Sequence, residues 1–198
     1  MFDGYLGADD PAHVSRVAHD TAAAVLSRVR ADPDPEVVAR LVSYTDEHGI
    51  DAIAELWSKA SAKSLPGALW RLYLLRTMIR QDAAGVSLAF QRGAELSHTI
   101  DQVVAGAPTP AGPAEVRELA DVILRGVFSG DFAAALERAA AFCRVASTGF
   151  ASLADDADAA DAAHPDRPGI LTRRALRLHS LAEELAACAR LWRHESLD

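Results

Sequence analysis

Ser64-Leu-Pro-Gly-Ala-Leu-Trp-Arg-Leu-Tyr-Leu-Leu-Arg-Thr-Met-Ile-Arg-Gln81 decides the fold class. On a helical wheel Leu65, Leu69, Leu72 and Ile79 form one stripe, and Trp70, Leu74 and Met78 lie on the far side. A helix that is apolar nearly all round belongs in the middle of a protein, so this stretch predicts a central helix wrapped by the rest of the chain. Pro66 falls in its first turn, where a missing amide proton costs nothing. The polar run Arg80-Gln81-Asp82 ends it.

Outward from that helix, the flanking segments repeat at helical rather than strand spacing. Asp10-Pro11 opens a first helix carrying Val14, Val17, Ala18, Val25 and Val29. A second starts at Asp34-Pro35-Glu36, presents Val37, Val38, Leu41 and Tyr44, and stops at Gly49. Asp51 caps a third with Ile53, Ala54, Leu56, Trp57 and Ala60. Beyond the central helix, Asp82 opens a fifth with Val86, Ala89, Phe90, Gly93, Leu96, Ile100 and Val103 inward. Residues 105–113, dense in glycine and proline, form the clearest loop. Pro113 and Glu115 start a sixth helix with Val116, Leu119, Ile123, Val127 and Phe128 inward, and Ser129-Gly130-Asp131 turns it into a seventh with Phe132, Leu136, Ala139, Cys143 and Ala146. Residues 154–168, acidic and alanine-rich, read as an exposed, partly helical connection. The last helix, Ile170 to Trp192, carries Leu171, Ala175, Leu178, Ala182, Leu185, Ala189 and Trp192 inward and leaves its arginines for the surface. The expectation is an all-α bundle of about eight helices in a single domain spanning residues 1–198.

Half of the 198 residues are hydrophobic and about a quarter are charged, with a net charge of −8. That balance excludes a spanning helix, disfavours nucleic acid and anionic membranes, and fits a globular chain. The start, Met1-Phe-Asp-Gly-Tyr-Leu6, has neither the basic head nor the apolar run of a signal peptide, so a cytoplasmic location is expected. The two cysteines, Cys143 and Cys188, sit among alanines and read as small core residues rather than a bridge.

Candidate chemistry is sparse. Glu95-x-x-His98 has the spacing of a helical di-iron ligand pair, but no second copy exists, and Gln91, Glu95, His98 and Gln102 make one solvated stripe. The seven histidines include no i, i+4 pair, so no metal and no cofactor are expected. Asp155-Asp156-Ala-Asp158-Ala-Ala-Asp161 is similar to the aspartate-rich magnesium motif of terpene synthases, yet the chain lacks that family's length and its second motif, and the tract reads as a linker. Ser129-Gly-Asp131-Phe-Ala-Ala-Ala-Leu136 resembles the turn of a tetratricopeptide hairpin over one hairpin only, which implies a local packing solution and a lean toward protein binding. A helix-turn-helix over Ile53–Leu75 would present Leu-Pro-Gly-Ala-Leu-Trp to a DNA groove, with no side chain there to read base edges.

Two functions follow. One is a non-catalytic cytoplasmic protein that works by association, with itself or with another protein; Trp57, Phe150 and Trp192, near helix ends, point to a homodimer. The other is a binding protein or enzyme for a small anion. Arg76 and Arg80, one turn apart beside Tyr73, would form the clamp, with Arg92 from the next helix. A buried guanidinium needs a partner, and Glu47, Asp82 and Glu95 are the carboxylates expected if the pair is structural.

Overall fold

Ser64 shows how the sequence sets a helix end. Its hydroxyl oxygen accepts the Gly67 amide at 3.3 Å and donates to the Ser61 carbonyl at 2.7 Å, so the first turn has a partner before the helix begins. The computed structural model describes residues 11–31, 56–108, 111–160 and 165–197. These form α1 (Pro11–Ala31), α2 (Leu65–Gln81), α3 (Ala83–Leu96), α4 (Asp101–Ala105), α5 (Pro113–Ser129), α6 (Phe132–Ala160) and α7 (Arg167–Arg193), with a helical turn at 56–58 before α2. No strand occurs among the described residues, and the fold is all-α. The expected second helix (Val37, Val38, Leu41, Tyr44), the start of the third (Asp51, Ile53, Ala54) and the carboxylate Glu47 lie outside the described residues, as do 109–110 and 161–164.

The helix buried on every side is α6, not α2. It packs against α7, α3, α4 and α5, and the consecutive Ala139, Ala140, Ala141, Phe142 and Cys143 are all solvent-free, although Thr148, further along, is exposed. Four or five neighbouring positions buried together cover the whole circumference of a helix. The Ser64–Gln81 stretch, expected at the centre, buries only Leu65, Leu69, Leu72, Leu75 and Ile79 of its large apolar side chains. Its other flank stays open, with Leu74 at 42% exposure. Alanine explains the exchange of roles, because small side chains let four helices close on one axis at once.

The tightest contact is the crossing of α3 and α6. A Cβ on Gly93 would lie 1.9 Å from the Val145 carbonyl oxygen, and one on Gly149 would lie 1.7 Å from that of Ala89. Backbone packs directly on backbone there, and the stacked rings of Phe90 and Phe142, with centroids 4.9 Å apart, bring the same two helices together.

The fifth helix is shorter than its spacing predicts. It ends at Leu96, because Ser97, Thr99 and Asp101 bond among themselves: Thr99 N–H donates to Ser97 Oγ, and Thr99 Oγ1 donates to Asp101 Oδ2 at 3.0 Å. Such local side-chain bonds compete with the helical ladder. Ile100 and Val103, expected inward, are therefore outside, at 75% and 81% exposure. The short α4 is tied back by Arg144, which donates two hydrogen bonds to Asp101, and it ends at Gly106, whose φ of +73° suits glycine. At the other end of the bundle α6 runs on through the acidic tract to Ala160, with Ala154 and Ala157 still buried.

Gly93→Ala and Gly149→Ala are each expected to lower stability by about 3 kcal/mol in denaturant titration, since a backbone must move to admit the methyl group. Gly126→Ala is the control. Its Cβ would meet only the Ala135 methyl at 3.6 Å, and inside α5 it should stabilise by about 0.5–1 kcal/mol.

Candidate functional site

The open flank of α2 faces α7, and the two helices run antiparallel. Arg71 of α2 pairs with Glu184 of α7 near one end, and Asp82, just past α2, pairs with Arg174 near the other. Between these ties lies a groove of about 720 Å³. Trp70, Leu74 and Met78, spaced four apart, form the α2 wall; Leu176, Arg177, Ser180, Leu181 and Glu184 contribute the α7 wall. Trp70 is held in place by stacking on Tyr73, centroids 5.5 Å apart. Leu176 is 62% exposed, a large apolar side chain on the groove's edge.

Asp82 does three jobs at one corner of this groove. Its backbone N–H donates to the Met78 carbonyl and closes α2, its carboxylate accepts the Gly85 amide and opens α3, and its second oxygen takes Arg174. Burial raises the Asp82 carboxyl's pKa, and the hydrogen bonds from Arg174 and Gly85, with the arginine's charge, outweigh it and leave it below the usual carboxylate range. The Arg174 guanidinium also lies 5.6 Å over the Phe150 ring. Arg144 likewise holds Asp101 low through its hydrogen bonds, against burial, and Arg193 holds Glu137 low in the same way.

Of the residues expected to clamp an anion, Arg76 and Arg80 come together and Arg92 does not join them. Arg76 is 3% exposed, and its Nε donates to Asp121 Oδ1 at 2.7 Å; Arg80, 44% exposed, reaches the same oxygen at 3.7 Å. Tyr73 turns to Trp70. Arg92 lies against α6, donating to Ser152 at 3.1 Å and pairing with Asp156 at 3.4 Å and Glu95 at 3.8 Å. Among the described residues the carboxylate that meets Arg76 is Asp121, which was not among the three expected from the sequence. Asp82 goes to Arg174 and Glu95 to Arg92.

The remaining candidates disperse. His98 lies past the end of α3, so Glu95 and His98 do not share a helix face. No group of three or more His, Cys, Asp or Glu side chains is placed to hold a metal ion among the described residues. Both cysteines are free and buried. Burial pushes the Cys143 thiol far up and the Cys188 thiol up to about 11, and Cys188 donates to the Ala62 carbonyl. Neither is a thiolate at neutral pH. No described helix is long and apolar enough to cross a membrane.

Sequence reasoning missed the α7 wall. Arg177 and Glu184 look like members of an ordinary solvated face, and the available signal was Leu176 and Leu181, two leucines outside the inward stripe. Compared with family models, curated proteins and solved structures, the chain matches none.

Asp121→Ala should cost about 2–3 kcal/mol, because it takes a partner from a guanidinium that is almost solvent-free; Arg76→Met combined with Asp121→Leu should recover most of the loss, and Arg80→Met should change little. Denaturant titration of the four chains checks this. A second expectation concerns acid. Asp82, Asp101 and Glu137 have lowered folded pKa values, so each adds stability that is fully present above about pH 5 and is lost as the pH falls through those values. The melting temperature should be level down to about pH 5 and fall below about pH 4, with a shallower fall in Asp101→Asn.

Proposed function

We propose that this chain is a non-catalytic cytoplasmic helical protein that works by association, its own copies included, through the groove between α2 and α7. The observation that carries the proposal is the apolar lining left open to water. Leu74 and Leu176 are 42% and 62% exposed on a groove whose floor and walls also hold Trp70, Met78 and Leu181. Covering a leucine side chain is worth about 1.5–3 kcal/mol at most, so an occupant that shields both gains a useful share of its binding energy there. A groove flanked by two antiparallel helices suits a third helix with anchors at i, i+3 or i+4 and i+7. Arg71 and Glu184, tied to each other at its edge, supply the polar rim.

Two further observations support the reading. The buried thiols suit a reducing compartment. The small-anion alternative has less support, because the Asp121 carboxylate stands where an anion would meet Arg76 and Arg80. The aromatic side chains expected to drive a homodimer pack into the bundle. Trp57 and Phe150 are buried, and Trp192 packs edge-on to Phe132 at 4.7 Å; among the exposed large apolar side chains, which also include Leu88, Ile100 and Val103, Leu74 and Leu176 are the two that share a groove.

A photoreactive amino acid placed at position 74 in cells should yield covalent protein adducts, of this chain or another. The same group at the exposed position 117 should yield none. Equal labelling at both positions, or none at 74, refutes the groove.

A further inference from the structure

We infer that the occupant of the groove is the same face of a second copy, with α7 lying antiparallel on α7 about a two-fold axis that passes between Ser180 and Leu181. The inference rests on the association reading and adds the partner and its register.

Charge along α7 carries it. Arg177 and Glu184 both line the groove and sit seven residues apart, two turns, on one side of the helix. Each is three and a half residues, about 5 Å, from the midpoint between Ser180 and Leu181. A two-fold axis there brings Arg177 against Glu184 of the partner subunit and, by the same operation, Glu184 against Arg177 of the partner subunit. One arrangement satisfies both charges twice. A parallel alignment sets arginine on arginine and glutamate on glutamate, and is rejected on charge alone.

The local structure is prepared for this contact. Arg71 holds Glu184 by Oε2, and Oε1 has no hydrogen-bond partner among the described residues; Arg177, exposed, has none there either. A carboxylate accepts two guanidinium groups without strain. Ser180, small, lies at the axis where the helices approach most closely. Leu176 falls at the level of residue 185 of the second copy, and because α2 runs antiparallel with Arg71 beside Glu184, the wall it meets is Trp70 of the partner subunit. The exposed leucine and the open aromatic wall thereby cover each other.

Light scattering and sedimentation of the full chain should give twice the 21.1 kDa monomer mass. Arg177→Glu should weaken the dimer at least about tenfold while leaving the helical spectrum unchanged, because it sets glutamate against glutamate, and its melting temperature should lose the concentration dependence that dimerisation gives the wild type. Mixing Arg177→Glu with Glu184→Arg should restore a one-to-one dimer that neither forms alone. Since Glu184→Arg also loses the Arg71 tie, Ser180→Cys provides a second measurement: oxidation should link two copies at the axis. A monomeric wild-type chain, or a dimer indifferent to both Arg177→Glu and Ser180→Cys, overturns the inference. In that event adducts at position 74 carrying a different protein still support the groove and name another helix as its occupant, whereas no adducts at all end both readings.

Discussion

The bundle depends on the approach of α3 and α6 at Gly93 and Gly149, where two helix backbones touch without side chains between them. That distance is shorter than any pair of Cβ atoms would allow, and it fixes how far α6 sinks among its neighbours. With α6 drawn in, its alanine faces meet α7 and α5 closely enough to exclude water, and Phe90 stacks on Phe142 as the helices close. Dispersion between many atoms at short range, more than any large side chain, is what the centre of this protein offers.

Around that centre, arginines join the helices one seam at a time. Arg76 links α2 to α5, Arg71 links α2 to α7, Arg174 links α7 to the α2–α3 joint, Arg144 links α6 to α4, Arg92 links α3 to α6, and Arg193 links α7 to α6. Arg30 closes the series from α1. It donates to the Val127 and Gly130 carbonyls, the unpaired acceptors at the end of α5, and lies 5.8 Å over the Trp192 ring. Apart from those of Arg76 and Arg71, these pairs are partly exposed and add little each. Their value is in orientation, since a planar fork accepts a carboxylate in few geometries and so fixes which turn faces which.

Much of the fold was legible because helical periodicity is a local property. The stripes of α5 and α7, the turn at Ser129-Gly130-Asp131, the first-turn Pro66 and the helix start at Asp82 follow from residue type and spacing alone. The identity of the central helix was not legible in the same way. A helical wheel weighs large apolar side chains and favours Leu65 to Ile79, whereas centrality in a tight bundle is marked by small residues, whose meaning depends on what approaches them. The break after Leu96 was hidden for a related reason: Ser97, Thr99 and Asp101 are tolerable in a helix, and only their mutual bonds decide against it. The groove could not be read at all, because Arg177 and Glu184 become a site only when α2 lies beside α7.

Asp82 belongs to two helices at once, and this makes the joint a matter of phase. Because it is both the last cap of α2 and the first of α3, there is no slack between them in which a change of length can be absorbed. One residue added between Met78 and Gly93 turns everything after it by about 100° about the helix axis. Gly93 then points away from Gly149, and a side chain takes its place at the crossing. Insertions and deletions at this joint should therefore be far less tolerable than most substitutions, while the segment around residues 106–108, which carries no such phase relation, remains the natural place for the chain to grow.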